Sequence, residues 1–434
     1  MIVLPVTQWG KQMNLLENKN IAIIGGGPGG LTLARLLQLK GTNVKVYERD
    51  AGKTVRVQGG ALDLHTESGL AALAEARLMN EFKTHYRPGA ELVRVMDSQA
   101  AIHTDEHAGT STTTFGDRNH RPEIDRGPLR DILLNSLWPG TVVWDSHVTG
   151  IVPQGDRWKI VFQNGNSTVA DMAIGADGAN SKIRPFVTDI KPFWTGITML
   201  EGSLKDGAKT APVIHELLKG GKIFAYGNKK TVIVSSKGDG SFGFAASFAS
   251  GEFWAKDSGI DFKDNQQVLA WFKKEFAEWN PVWWELFESP DTIFLPRPQY
   301  CMPLDQKWKA ASDITLLGDA AHWMPPFAGE GVNMAMLDAL QLSRSFANPA
   351  FTSTRKAIAH YEKQMFARFA KIGRATLFNT EWMHQPGALN NMLAMFSKNK
   401  LKQGLFMARY IIQVSIAPFF RKCLGLPPAQ KVFS

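Results

Sequence analysis

The sequence predicts an α/β fold: a Rossmann-like nucleotide-binding domain interrupted by an antiparallel-sheet domain and then resumed, with helices at the C-terminal end. Three observations predict it. A strand–glycine turn–helix–strand run begins at Asn20, alternating segments fill the stretch between Pro192 and Pro303, and a buried-type strand returns at Ile314. The corresponding segments are 1–190, 191–305, 306–350 and 351–434.

Asn20–Gly25 (NIAIIG) is a short apolar, β-branched run and reads as a buried strand. Residues 28–40 carry Leu31, Ala34, Leu37 and Leu39 near helical spacing, and Gly41 stops the helix. Val44–Glu48 is again a strand, so the opening is a βαβ unit that demands a parallel sheet. A leucine-rich helix follows Asp125, with Pro128 in its first turn, and Trp158–Phe162 and Met172–Gly175 read as strands. Lys222–Tyr226, Thr231–Ser235 and Phe242–Phe248 suggest the antiparallel sheet, with an amphipathic helix near Asn265–Trp279.

Gly25-Gly-Gly27-Pro-Gly-Gly30 matches G-x-G-x-x-G between a strand and a helix. The first glycine permits the tight turn, the second lets a pyrophosphate approach the backbone, and the third allows close helix–sheet packing. The helix N-terminus adds free N–H groups and partial positive charge. Glu48, 18 residues after Gly30, ends the next strand, where a carboxylate can accept hydrogen bonds from a ribose. A second match, Gly238 to Gly243, is followed by strand-like FAASFAS and reads as a hairpin turn on Asp239-Gly240. One dinucleotide fingerprint remains. Later, ITLLGDAAHWMPPFAGEGVN delivers Asp319 at a strand end and a helix start near Gly329-Glu330-Gly331. An Asp there can bind a hydroxyl chain, and the helix N-terminus can stabilise charge on a reduced ring.

These motifs, with Asp177-Gly178 and Ser181-x-x-Arg184 between them, resemble those of the single-component (class A) FAD-dependent aromatic hydroxylases. Within that superfamily, KQMNLLENKNIAIIGGGPGGLT, VYERD, RVQGGALDLH, PEIDRGPLRDILLNSL, KIRPFVTD and GDAAHWMPPFAGEGVN are most similar to the tetracycline-inactivating flavin monooxygenases. The resemblance implies FAD as cofactor, with NADPH or NADH as transient reductant and O₂ as co-substrate. Oxygen would reach an electron-rich carbon through a flavin C4a-hydroperoxide. It implies cofactor contacts by Gly25, Gly27, Gly30, Glu48, Arg49, Asp63, Arg126, Arg130, Asp177, Asp319, Pro326, Gly329, Glu330, Gly331, Val332 and Asn333. Arg56 would lie near the NADPH approach path, and Phe327 and Phe224 would line the substrate cavity. Glu330 departs from the Gln usual in the tetracycline enzymes, and their Gln, Arg and His on the substrate sheet have no placed counterparts within 193–250.

The function implied is hydroxylation of a polycyclic or phenolic compound, tetracycline first, with another aromatic or polyketide substrate as the alternative. A non-catalytic protein that keeps the FAD-type fold to bind a partner is the rival from another class. No metal cluster or hydrolytic triad is visible, and the halogenase signature W-x-W-x-I-P is absent. His322 reads either as a general base or as a residue packed beneath the flavin loop. Trp271, Trp279, Trp283 and Trp284 read either as an aromatic substrate wall or as helix–sheet packing.

Only Cys301 and Cys423 are present, too few for a disulfide framework, and no secretory pattern or membrane span is seen, so a cytoplasmic monomer is expected. The net charge of +9 is local: residues 351–434 hold thirteen Lys/Arg against two acids, leaving 36 against 38 elsewhere. That distribution argues against nucleic-acid binding. The stretch from Lys400 to Leu426 reads as a basic amphipathic helix, with three readings: a docked brace, a cover for the substrate entrance, or a membrane contact.

Overall fold

The computed structural model describes residues 15–55, 60–109, 115, 117, 120–395, 400–412 and 414, the side chains of Lys400 and Lys402 excepted. Its first sheet is parallel. Strands β1 (Ile21–Ile24), β2 (Val44–Tyr47), β7 (Val142–Val143), β11 (Met172–Gly175) and β17 (Ile314–Leu316) align in the order β17-β11-β1-β2-β7. β1 and β11 are buried along their whole length, as expected of strands covered on both faces. Helix α1 (Pro28–Gln38) packs on this sheet beside α5 (Gly331–Ala347), so the first and last thirds of the chain share one core. This is the interrupted and resumed domain the sequence predicts.

Two small units decorate it: an antiparallel meander of β8 (Val148–Gln154), β9 (Arg157–Phe162) and β10 (Ser167–Ala170), and a pair of β3 (Leu62–Asp63) with β6 (Glu123–Ile124). Helices α2 (Gly69–Glu75) and α3 (Arg126–Asn135) follow these short strands.

The second sheet has seven strands in the order β16-β12-β15-β14-β13-β4-β5, comprising β4 (Val93–Asp97), β5 (Ile102–Asp105), β12 (Phe193–Leu204), β13 (Lys222–Gly227), β14 (Lys230–Ser236), β15 (Phe242–Ala249) and β16 (Ile293–Cys301). It departs from the sequence expectation in two ways. β4 and β5 come from within residues 1–190, and β4 pairs with β13 in parallel, making the sheet mixed. A parallel pair needs a long crossover, and the more than one hundred residues between β4 and β13 provide it. Sequence alternation within one segment carries no trace of a partner that distant.

Side chains alternate cleanly across this sheet. Leu200, Leu204, Val232, Val234, Phe242, Phe244, Ala246 and Phe248 face a layer made by α4 (Asn265–Glu275) and its neighbours. Phe272 stacks on Phe287 at 3.9 Å, and Phe287 meets Phe244 edge-on at 5.2 Å. Trp279 and Trp283 belong to this layer, and the Trp283 indole donates to the Ser98 carbonyl at 3.0 Å. The tryptophan cluster is therefore packing on the far face of the sheet. The Gly238–Gly243 segment is the turn between antiparallel β14 and β15, with Gly240 at φ +79°, as its hairpin reading required.

The near face looks back toward the parallel sheet. The two domains are held in register by α6 (Thr354–Met383), whose 30 residues span roughly 45 Å. The Tyr361 hydroxyl donates to the Leu316 carbonyl of β17 at 2.8 Å, and Asn379 donates to the Phe327 carbonyl at 2.9 Å. His384, just past the helix end, reaches Ser247 of β15. Helices α7 (Ala388–Met395) and α8 (Lys400–Ile411) follow. No described helix is long and apolar enough to cross a membrane.

Candidate active site

The glycine turn behaves as its spacing requires. Gly25 leaves β1 at φ +109°, and a Cβ there would lie 2.4 Å from the Ala176 carbonyl oxygen. A Cβ on Gly30 would lie 2.1 Å from the Gly25 oxygen, so helix and strand touch at that point. Gly27 is different: it caps α1 in extended conformation, and nothing lies within 4 Å of where its Cβ would point. That side opens into a cleft of about 630 Å³ running from the turn to the near face of the second sheet. Arg49 and Arg126 line its first wall, and Ser203, Ser235, Lys237 and Arg297 its second.

Glu48 is buried at the end of β2. It accepts hydrogen bonds from the Gly26 N–H at 2.6 Å and the Asp50 N–H at 3.1 Å, so the carboxylate braces the turn itself. Arg130 is buried and donates to the Lys53 carbonyl and to Asp50 at 3.0 Å, fixing the segment beside the turn. Arg126 begins α3 and donates to the Gly60 carbonyl at 3.2 Å. Arg56 lies outside the described residues.

Asp177 works through its loop. Its carboxylate accepts from the Ser181 hydroxyl and the Lys182 N–H, both at 2.6 Å, and Ser181 accepts in turn from the Ile183 and Arg184 N–H groups. Arg184 then donates to the Ala320 carbonyl at 2.6 Å and the Asp319 carbonyl at 2.8 Å. The D-G…S-x-x-R motif is thus a strut that fixes the backbone of Asp319. Asp319 is walled by protein on most sides, yet its residue keeps exposed surface, and the cleft-lining Arg126 is close enough for its charge to act on the carboxylate. Desolvation by the surrounding protein holds its carboxyl above the usual range, against the opposing pull of His322, Arg126 and Arg184.

Behind it, Asp338 of α5 is fully buried. It accepts from the Gly318 N–H at 2.8 Å, from His322 Nε2 at 2.6 Å and from Arg368. Burial alone would raise this carboxyl, but His322 and Arg368 hold it below its usual range. His322 is buried and stacks on Phe369 at 5.6 Å, which is the packed reading of this residue and not a base facing the cleft.

Pro326, Phe327, Gly329 and Glu330 form the loop entering α5, with Gly329 in the left-handed region at φ +68°. Gly331 is the first residue of the helix, and Val332 packs at the edge of the core. Asn333 is completely buried, and its amide is hydrogen-bonded through both its oxygen and its nitrogen. It accepts from the His65 N–H, the Gly69 N–H and the Ser68 hydroxyl, and donates to the Asp63 carbonyl. Its side chain ties the helix start to β3 and brings Asp63 beside Gly329.

His65, which sequence reasoning did not single out, sits between Asp63 (3.0 Å) and Glu330 (3.4 Å). Burial opposes its charged form, but hydrogen bonds and the charges of both carboxylates raise its pKa to about 9. Burial likewise would raise Asp63, yet His65 and Lys222 hold it below its ordinary value. The only signal was the LDLH stretch, which has no spacing rule of its own.

On the substrate side, Phe224 of β13 and Phe327 fall in one apolar cluster with Ile233, Phe378 and Trp382, and Ile233 also lines the cleft. The ring of His384 meets Phe327 edge-on at 5.2 Å. His384 Nδ1 is 2.7 Å from the Thr380 carbonyl and its Nε2 is 2.8 Å from Ser247 Oγ. Burial lowers its pKa to about 4, so the ring is neutral with one proton. A carbonyl only accepts, so the proton is on Nδ1 and Ser247 donates to Nε2. Thr231 completes the chain at Ser247. The neighbouring Tyr226 hydroxyl is buried without a hydrogen-bond partner among the described residues. Within 193–250 no histidine stands near this wall; the chain supplies one from the end of α6 instead.

His65 and His384 give opposite pH dependences. Both titrate near 6.5 when unfolded. The stabilising share of His384 is complete above about 6.5 and is lost as pH falls toward 4; that of His65 is complete below about 6.5 and is lost as pH rises through 9. Each is on the order of 3 kcal/mol at full extent. Denaturant unfolding of His384→Asn is expected to differ from wild type by an amount that changes on the acid side only, and His65→Gln on the alkaline side only. Parallel profiles would refute the assignment.

The open face at Gly27, the exposed Asp319, the cleft-lining Arg126 and the helix start at Gly331 suit a dinucleotide with a polyhydroxyl chain and a planar ring. Among the described residues no three potential ligands gather for a metal. Residues 18–123 and 306–376 match the FAD binding domain family model. The chain is 28% identical over 414 residues to the monooxygenase asqM of Emericella nidulans, covering 80% of this chain and 91% of that protein. It superposes on Klebsiella pneumoniae HpxO, solved with FAD and uric acid, with a TM-score of 0.71 at 19% identity, covering 94% and 100% of the two chains. It superposes on the tetracycline destructase Tet(55) with a TM-score of 0.68, also at 19% identity, covering 92% and 97%. These two share the fold. The chain thus carries an FAD-binding domain in two segments and is similar along most of its length to monooxygenases.

Proposed function

We propose that the protein is an NAD(P)H-consuming hydroxylase of a polycyclic or phenolic aromatic compound, with tetracyclines the first substrates to test. One observation carries this reading: the cleft runs from the glycine turn to the near face of the second sheet, where Ile233 both lines it and packs in one apolar cluster with Phe224 and Phe327. Bound FAD supplies the redox and oxygen-activating chemistry. The chain's own residues bind, orient and keep water out. Asp319, fixed by Arg184, and Arg126 hold the polar part of the cofactor, and Gly27 leaves room for its phosphates. Phe224, Phe327 and Ile233 offer flat and branched apolar surface, which suits fused rings. Tyr226 and the Ser247–His384 pair are the polar groups beside that surface, and a neutral imidazole leaves no buried positive charge there.

A second reading, a hydroxylase of a different aromatic substrate, has its own support. The cleft wall presents the Glu201–Arg297 ion pair (3.1 Å) and Lys237 bonded to Ser203 (3.2 Å), a set unlike the Gln, Arg and His of the tetracycline enzymes. The solved relative holding uric acid also acts as a reminder that this fold accepts small polar rings. NADPH consumption by the FAD-loaded protein, with and without a tetracycline and with product mass as readout, separates the two. A product heavier by one oxygen supports the first reading. Cofactor reduction with the drug unmodified leaves the second, to be pursued with smaller phenols.

A further inference from the structure

His65 is anchored twice on the start of α5. Its backbone N–H donates to Asn333 Oδ1 at 2.9 Å, and its ring lies between two carboxylates, with Nε2 3.0 Å from Asp63 and Nδ1 3.4 Å from Glu330. A carboxylate only accepts, so a ring that serves both carries a proton on each nitrogen and a positive charge. The His65 side chain is 5% exposed, so water takes little part in this arrangement.

Glu330 immediately precedes α5, where a carboxylate is drawn to the positive end of the helix and its unpaired N–H groups. It does not turn there. No side chain caps α5, and the only ion pair of Glu330 among the described residues is the one with His65. Asp63, by contrast, also has Lys222 of β13 and Arg121 as positive neighbours. The first N–H groups of α5 therefore stay clear of a negative side chain because His65 holds that side chain elsewhere. We propose that His65 is a positioning residue for the flavin: by keeping the Glu330 carboxylate aside, it reserves the N-terminus of α5 for the negative charge that the isoalloxazine ring gains on reduction. The inference rests on FAD binding with its ring at this helix start, whichever aromatic compound is hydroxylated. Without the imidazolium, Glu330 puts a like charge at that end of the helix, and the protein holds reduced FAD less tightly relative to oxidised FAD.

The test is the flavin midpoint potential of the full-length, FAD-loaded protein. It is measured by dye-coupled reduction without any aromatic substrate, so its failure leaves the hydroxylase reading untouched. His65→Gln is expected to move the potential to more negative values, equivalent to a loss of about tenfold in affinity for reduced relative to oxidised FAD, the scale of one charge at a helix terminus. Glu330→Gln should stay near the wild-type potential. Combined with His65→Gln it should cancel the shift, because no carboxylate remains to be held. A merely structural role for His65 gives the same shift with or without Glu330; that result, or no shift in His65→Gln, overturns the proposal. Where His65→Gln fails to retain FAD, wild type and Glu330→Gln alone decide. His65 loses its charge as pH rises through about 9, so the wild-type potential should fall more steeply there than that of Glu330→Gln. The other ionisable groups around the pair, Asp63, Arg121, Glu123 of β6, Lys222 and Tyr410 of α8, are common to both proteins. Equal slopes in the two overturn the proposal.

Discussion

Gly27→Ala is expected to leave unfolding unchanged and to weaken FAD binding, whereas Gly30→Ala damages both. The distinction is geometric. At Gly27 a Cβ meets nothing of the protein within 4 Å, and φ −77° with ψ 176° suits alanine. It would occupy the space that a pyrophosphate needs against the free N–H groups of α1. At Gly30 the Cβ would sit 2.1 Å from a backbone oxygen, so helix and strand must separate. Each lost or strained contact corresponds to ~1–3 kcal/mol, or about ten- to a hundredfold in FAD affinity. Flavin titration and denaturant unfolding of the two variants measure both quantities. Wild-type FAD affinity in Gly27→Ala would show that the phosphates lie elsewhere.

Asp338→Ala is expected to cost about 3–5 kcal/mol of stability, as does removal of one partner from a buried ion pair. The loss has three parts: the Arg368 guanidinium keeps no carboxylate, and the Gly318 N–H and His322 Nε2 lose their acceptor. Because Gly318 precedes Asp319, cofactor affinity should fall along with stability. Asp338→Asn retains an acceptor oxygen and should lose less. Denaturant unfolding monitored by circular dichroism decides, and a change under 1 kcal/mol in the alanine variant would mean that the triad is not a keystone of this loop.

Much of the cofactor half was legible in the sequence because its constraints are local. Gly25, Gly27 and Gly30 act within one turn, and buried strands such as Ile21–Ile24 need only a run of apolar residues. The hairpin at Gly238–Gly243 was separable from the true turn by what followed it. Interactions that bridge distant segments were not legible. β4 joins the second sheet by pairing with a strand more than a hundred residues on, and His384 reaches Ser247 from a helix that belongs to a later segment. His65 owes its raised pKa first to Asp63, two residues back, and then to Glu330, 265 positions away, and no local pattern could mark the second. Motif residues also proved to have unequal tasks. Asn333 and Asp177 spend their side chains on the scaffold, while Asp319 stays exposed.

The most direct measurement of the central claim is oxygen transfer by the FAD-loaded protein under O₂ labelled with a heavy isotope. It would use NADPH and a panel of tetracyclines and simpler phenols, with product mass as the readout. A product carrying one labelled oxygen atom is the expected result, and its identity names the substrate class. NADPH consumed with every aromatic compound recovered unlabelled, across the whole panel, would contradict the assignment of this cleft to aromatic hydroxylation.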